Sequence, residues 1–114
     1  MKDTLSHEIQ AHTDELIGLR RRFHSCPETA WEEFSTTEMI REYLSPLGYV
    51  LSQLPVKGHD TGLLATLSCG QGPVLTFRFD IDGLPVQESN SSLHSPRPGR
   101  ISFQKSRPYA CLRS

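Results

Sequence analysis

The chain has no Cys-x-x-Cys pair; its three cysteines, Cys26, Cys69 and Cys111, are scattered and odd in number. That pattern fits neither a zinc knuckle nor a disulfide framework, and reduced thiols in a cytoplasm are the expectation. No apolar run approaches the roughly 20 residues that a membrane span needs. The N-terminus is polar and helical in pattern, unlike a signal peptide. Acidic residues are missing from the end of the chain. All 13 of them lie in residues 1–94, with seven of the 12 basic ones, whereas the last 20 positions hold Arg97, Arg100, Lys105, Arg107 and Arg113 alone. The net charge of −1 conceals this asymmetry. It divides the chain into residues 1–90 and an irregular basic tail, 91–114, expected to be disordered. What is left is a lean composition, 36% hydrophobic and 22% charged over 114 residues. That is enough for one small globular domain with a thin core.

Hydrophobic spacing places the elements. Leu5, Ile9, Leu16, Leu19 and Phe23 recur at helical intervals and predict one helix, capped by Asp3 or Thr4 and closed by Arg20, Arg21 and Arg22. Pro27 marks its exit. The arginine triplet has no aromatic or further basic face beside it, so it reads as a solvated helix end and not as a nucleic-acid footprint. A second helix is predicted from about Glu33 to Leu44, with Met39, Ile40, Tyr43 and Leu44 as its apolar stripe. Ser45-Pro46-Leu47-Gly48 is stop chemistry. The period then changes. Tyr49 to Leu54, Gly62 to Ser68 and Val74 to Phe79 read as strands, separated by turns at Gly58 to Thr61 and Cys69 to Pro73. Helices followed by strands suggest the opening of an α/β domain.

The chemistry concentrates in "TFRFDIDGLPV", Thr76 to Val86. Two aspartates close an apolar run and meet a Gly-Leu-Pro turn. In α/β sheets the carboxyl ends of strands face the ligand crevice. On a continuing strand Asp80 and Asp82 share one face. Two carboxylates so close repel unless a cation or a shared proton holds them, and a divalent metal, or a histidine bound to one, would serve. The blander reading also stands: Asp80 caps a turn, Asp82 is solvated, and Gly83 and Pro85 make the bend.

Three stretches in register carry a resemblance. "RRFHSCPETAWEEFSTTEMIREYLSPLGY", then "DTGLLATL", then "GPVLTFRFDIDGLPVQES" resemble the start of the metal-dependent amidohydrolases of the aminoacylase and carboxypeptidase superfamily. Hippurate hydrolase, auxin-conjugate hydrolases and N-acyl-amino-acid deacetylases belong there. "ETAWEEF" is most similar to the p-aminobenzoyl-glutamate hydrolase subgroup. The likeness covers roughly residues 15 to 90. It implies an α/β fold in which two N-terminal helices are followed by the first strands of a zinc-peptidase-like mixed sheet, an incomplete catalytic domain. It implies hydrolysis of the amide bond of a small N-acyl or N-aroyl amino acid, with zinc or manganese as the divalent cofactor. The intact family is often homodimeric, and neither nucleic acid nor membrane is an expected partner. Asp80 and Asp82 match aspartates that orient metal ligands, where an anion behind an imidazole fixes its tautomer. His24 and Glu28 match the helix end and read as structural, His24 through a hydrogen bond to a loop. Glu32 and Glu33 suit the start of the second helix. Trp31 is expected in the core or packed between helix and sheet, and His59 and His94 in solvent-exposed loops.

The family pattern then continues some 20 residues on with Met-His-Ala-Cys-Gly-His, which supplies metal ligands. Here the corresponding place reads "YACLRS". If Tyr109 to Ser114 are written TAT GCA TGC CTG CGG TCA, dropping one base gives ATG CAT GCC TGC GGT CA, which encodes Met-His-Ala-Cys-Gly and the beginning of His. This points to a reading frame shifted between about Ser89 and Pro98. Arg97 to Ser114 accordingly lacks periodicity. On that reading Cys111 is not the ligand cysteine, no metal set is complete in this chain, and the chain alone is inactive. The competing reading is a small non-enzymatic α/β module whose basic tail binds nucleic acid or a partner chain.

Overall fold

The computed structural model describes residues 2–85. Three helices come first: α1 (Lys2–Ala11), α2 (Thr13–His24) and α3 (Phe34–Leu44). A 3-10 turn, Ser45–Leu47, leads into β1 (Val50–Gln53), and β2 (Leu63–Thr66) follows. The strands pair antiparallel, Val50 opposite Thr66 and Gln53 opposite Leu63. α3 packs on β2. Helices thus precede strands in a small, incomplete α/β unit. The basic tail, His94, Cys111 and the expected shift of frame lie outside the described residues.

The first expected helix is two. It breaks at His12, whose φ of −100° and ψ of 9° leave helical geometry. The His12 N–H bonds back only three residues, to the Ile9 carbonyl at 3.2 Å, and its own carbonyl accepts from Leu16 N–H at 3.0 Å. Asp14 and Glu15 stand in the first turn of α2, where negative charge favours a fresh N-terminus. Leu5 and Ile9 on α1 are exposed, so no packing face holds α1 and α2 in one axis.

α3 begins and ends as its sequence directs. Pro46 sits in the first turn of the 3-10 segment, and Gly48 adopts φ 87°, the left-handed stop that glycine accommodates without strain. The strand expected over Val74–Phe79 does not form a ladder. Val74 is 91% exposed, and Leu75, Phe77 and Phe79 are exposed with it. Strand propensity cannot build a strand without a neighbour to share its hydrogen bonds.

The tightest packing is at the start of α3 and is largely polar. Ser35, Thr36, Thr37 and Thr61 are buried beside Met39, which is 3% exposed. The Thr37 hydroxyl donates to the Glu33 carbonyl at 2.6 Å and accepts the Gly62 N–H at 2.9 Å, tying α3 to the entry of β2. Gly62 has φ 89°, and a Cβ there would collide with the Leu54 side chain. The Thr-Gly pair is therefore a joint between helix and hairpin. Cys26 is buried. Cys69 is exposed and free.

Candidate functional site

A cleft of about 550 Å³ opens between the end of α2, the Pro27 loop, α3 and residues 80–84. Arg20, Phe23 and His24 come from α2, Thr36 and Ile40 from α3, and Asp80, Ile81, Asp82, Gly83 and Leu84 close the remaining side. Apolar spacing accounts for the positions of Phe23 and Ile40. The turn at Gly83 brings residues 80–84 to the remaining side.

Glu28 joins the two sides of this cleft. Its carboxylate accepts from the Thr36 N–H at 2.6 Å, the Thr36 hydroxyl at 2.7 Å and the Ser35 N–H at 3.1 Å. These backbone donors belong to the first turn of α3 and have no partner within the helix. The residue before the helix, Glu33, gives them no side-chain cap. Glu28 does so from outside. The Glu28 carbonyl accepts the Gly83 N–H at 2.6 Å. A Cβ on residue 83 would lie 2.8 Å from the Pro27 Cβ, so glycine alone fits the approach. Spacing within the sequence points to local caps and could not reveal a carboxylate seven and eight residues away. Thr36 carried no signal of its own, and Gly83 read only as part of a bend.

Asp80 and Asp82 both line the cleft, and both are exposed. They do not share the face of a continuing strand, because no strand forms there. Asp80 pairs with Arg78 at 2.9 Å, on the solvent side. His24 lines the same cleft. His59 is elsewhere: its ring stacks on Trp31 with centroids 3.8 Å apart and planes at 26°. Trp31 is 53% exposed, which corrects its expected place in the core, and it holds φ 67°, the left-handed region that a bulky residue adopts only under constraint. Away from the cleft, Glu15 accepts from the Tyr43 hydroxyl at 2.9 Å and pairs with His12 Nδ1 at 3.0 Å. The His12 and Tyr43 hydrogen bonds lower the Glu15 pKa below the usual carboxylate range, and the carboxylate in turn raises the Tyr43 phenol.

Three or four protein ligands define a zinc site. Among the described residues no group of three or more His, Cys, Asp or Glu side chains stands close enough to hold a metal ion. The described residues therefore do not fit a catalytic metal by themselves.

No family model matches the chain, and no solved structure matches it. Characterised relatives do. The chain is 34% identical over 89 residues to an IAA-amino acid hydrolase (ILR1-like 5) of Arabidopsis thaliana, covering 77% of this chain and 20% of that protein. It is 39% identical over 75 residues to N-acetyl-L-cysteine deacetylase of Bacillus subtilis, covering 65% and 17%. It is 29% identical over 147 residues to a p-aminobenzoyl-glutamate hydrolase polypeptide of Escherichia coli, covering 96% and 34%. The last alignment is longer than the 114-residue chain, so that relative carries residues with no counterpart here. The chain is thus related to hydrolases. It belongs, more narrowly, to the amidohydrolase and aminoacylase family, and spans between about a sixth and a third of the length of these relatives.

Proposed function

We propose that the chain is the N-terminal portion of a metal-dependent amidohydrolase, with residues 1–90 forming part of its catalytic domain. The proposed reaction is hydrolysis of the amide that joins an acyl or aroyl group to an amino acid. The observation that carries this reading is the set of relatives. Their names specify IAA-amino acid, N-acetyl-L-cysteine, p-aminobenzoyl-glutamate and N-acyl-L-amino acid. The acyl part varies from one to the next while an amino acid recurs, which makes a common substrate class. In the complete protein Asp80 and Asp82 would orient metal-binding side chains, each as an anion behind a ligand. The metal, zinc or manganese, supplies an activated water when bound. The described residues lack its donor set, so the chemical step belongs to the complete protein.

It follows that the 114-residue chain alone is inactive. Purified chain incubated with zinc or manganese and N-acetylcysteine or p-aminobenzoyl-glutamate is expected to release no amino acid above a metal-only blank. Turnover above that blank overturns the reading. A shifted reading frame after about residue 90 explains the acid-free tail. The match covering 96% of the chain also reaches into the tail, and in-frame kinship is the rival account. Sequencing the locus separates them: the ligand motif in an adjacent frame supports the shift, and its absence rejects it. The non-enzymatic module has only the basic tail behind it.

A further inference from the structure

We infer that Glu28 is the positioning residue of the aspartate turn. Its carboxylate fixes the start of α3, and its carbonyl fixes Gly83, so one residue sets both walls of the cleft. Among the described residues, the Gly83 N–H to Glu28 carbonyl bond is the sole backbone hydrogen bond tying residues 68–85 to the rest of the chain. Asp82 precedes that anchor directly, and consecutive Cα atoms are about 3.8 Å apart, so pinning Gly83 confines Asp82. Asp80 lies two residues further back. The Pro27–Glu28 segment can serve as an anchor because it is itself held. Three donors from Ser35 and Thr36 converge on the Glu28 carboxylate. Charge-assisted bonds of this kind are stronger than neutral ones. Releasing the carboxylate frees Pro27 and Glu28 to move, and Gly83 with the two aspartates moves with them. The inference rests on the amidohydrolase reading only for what the aspartates do. The coupling is a property of this chain.

The test is amide hydrogen exchange at Gly83, with the carboxyl carbon shifts of Asp80 and Asp82, by NMR on the full 114-residue chain. Glu28→Ala is expected to speed Gly83 exchange about tenfold, the equivalent of one hydrogen bond, and to move both aspartate signals. Glu28→Gln keeps an acceptor oxygen and is expected to restore most of both readouts, which a general loss of stability would not do. A folded Glu28→Ala chain with Gly83 exchange and aspartate shifts as in the parent overturns the inference. If Glu28→Ala does not fold, Thr36→Val decides, since it removes only the hydroxyl donor to Glu28: faster Gly83 exchange supports the coupling, and unchanged exchange rejects it. Turnover assays do not enter this result. A negative outcome here leaves the amidohydrolase reading standing, and turnover by the chain alone leaves the coupling standing.

Discussion

Replacing Thr37 by valine removes one hydroxyl of nearly equal volume from a site that is 5% exposed. Two hydrogen bonds go with it: the donation to the Glu33 carbonyl at 2.6 Å and the acceptance of the Gly62 N–H at 2.9 Å. The two losses differ in kind. The Glu33 carbonyl keeps the Thr37 backbone N–H at 3.0 Å, so losing the hydroxyl there costs about 0.5–1.5 kcal/mol. Gly62 is buried, and its N–H loses the partner that holds it, a penalty of about 1–3 kcal/mol. The sum is roughly 1.5–4.5 kcal/mol, a large share of the stability of any small domain. Thr37→Ser keeps the oxygen and loses a methyl group, worth about 0.8 kcal/mol. Urea unfolding followed by circular dichroism should give a midpoint for Thr37→Val far below that of Thr37→Ser, at an unchanged slope. Equal midpoints for the two variants, or a Thr37→Val midpoint matching the parent, would refute the claim that this hydroxyl joins helix to hairpin.

Gly62→Ala should also lower the urea midpoint, by the equivalent of more than about 1 kcal/mol, because φ 89° and the Leu54 side chain both oppose a Cβ; a neutral effect would mean the backbone adopts another conformation there. Acid should weaken the contact between α2 and α3. The Glu15 pKa is lowered in the folded chain by His12 and Tyr43, so its contribution is present above the ordinary carboxylate pKa and is lost as pH falls through the folded value. Tyr43 is raised, so its part persists below the ordinary phenol pKa and is lost as pH rises through the folded value. Tyr43→Phe should flatten the alkaline limb of a stability-against-pH profile, and an unaltered limb counts against the pair. Phe77→Lys combined with Phe79→Lys should reduce self-association in light scattering, since these exposed rings, 6.3 Å apart, lie in an unpaired apolar run.

The elements most legible in the sequence were those whose signals are local. The second helix was expected from Glu33 and runs from Phe34, because its apolar stripe and the Ser-Pro-Leu-Gly stop act within a turn or two. The first two strands likewise fall inside their expected spans, Tyr49 to Leu54 and Gly62 to Ser68. The break at His12 was hidden because Leu5 and Ile9 keep helical spacing even though nothing packs on them. The Val74–Phe79 strand failed for the opposite reason: its propensity is strong, but no neighbour among the described residues pairs with it. At the cleft, the Asp-x-Asp spacing singled out the aspartates. The residue holding their turn lies more than 50 positions earlier, and its bonds to Gly83 and α3 obey no short period.

The balance of buried and exposed groups bears on the proposal that the activity belongs to a longer protein. The described residues bury hydroxyls and half-bury a carboxylate cap at the start of α3, while Val74, Leu75, Phe77 and Phe79 stand in water. Burying one such side chain contributes about 1.5–3 kcal/mol. Four of them represent roughly 6–12 kcal/mol that is not realised, comparable with the whole stability of an ordinary domain. The apolar run leads directly into Asp80 and Asp82. A sheet neighbour that covered the run would hold the aspartates from the N-terminal side, as Glu28 holds them through Gly83 from the other. With one anchor the pair shares a cleft, and Asp80 turns outward to Arg78. Two anchors would be needed to hold a carboxylate rigidly enough to orient a metal ligand, and the described residues supply only the second.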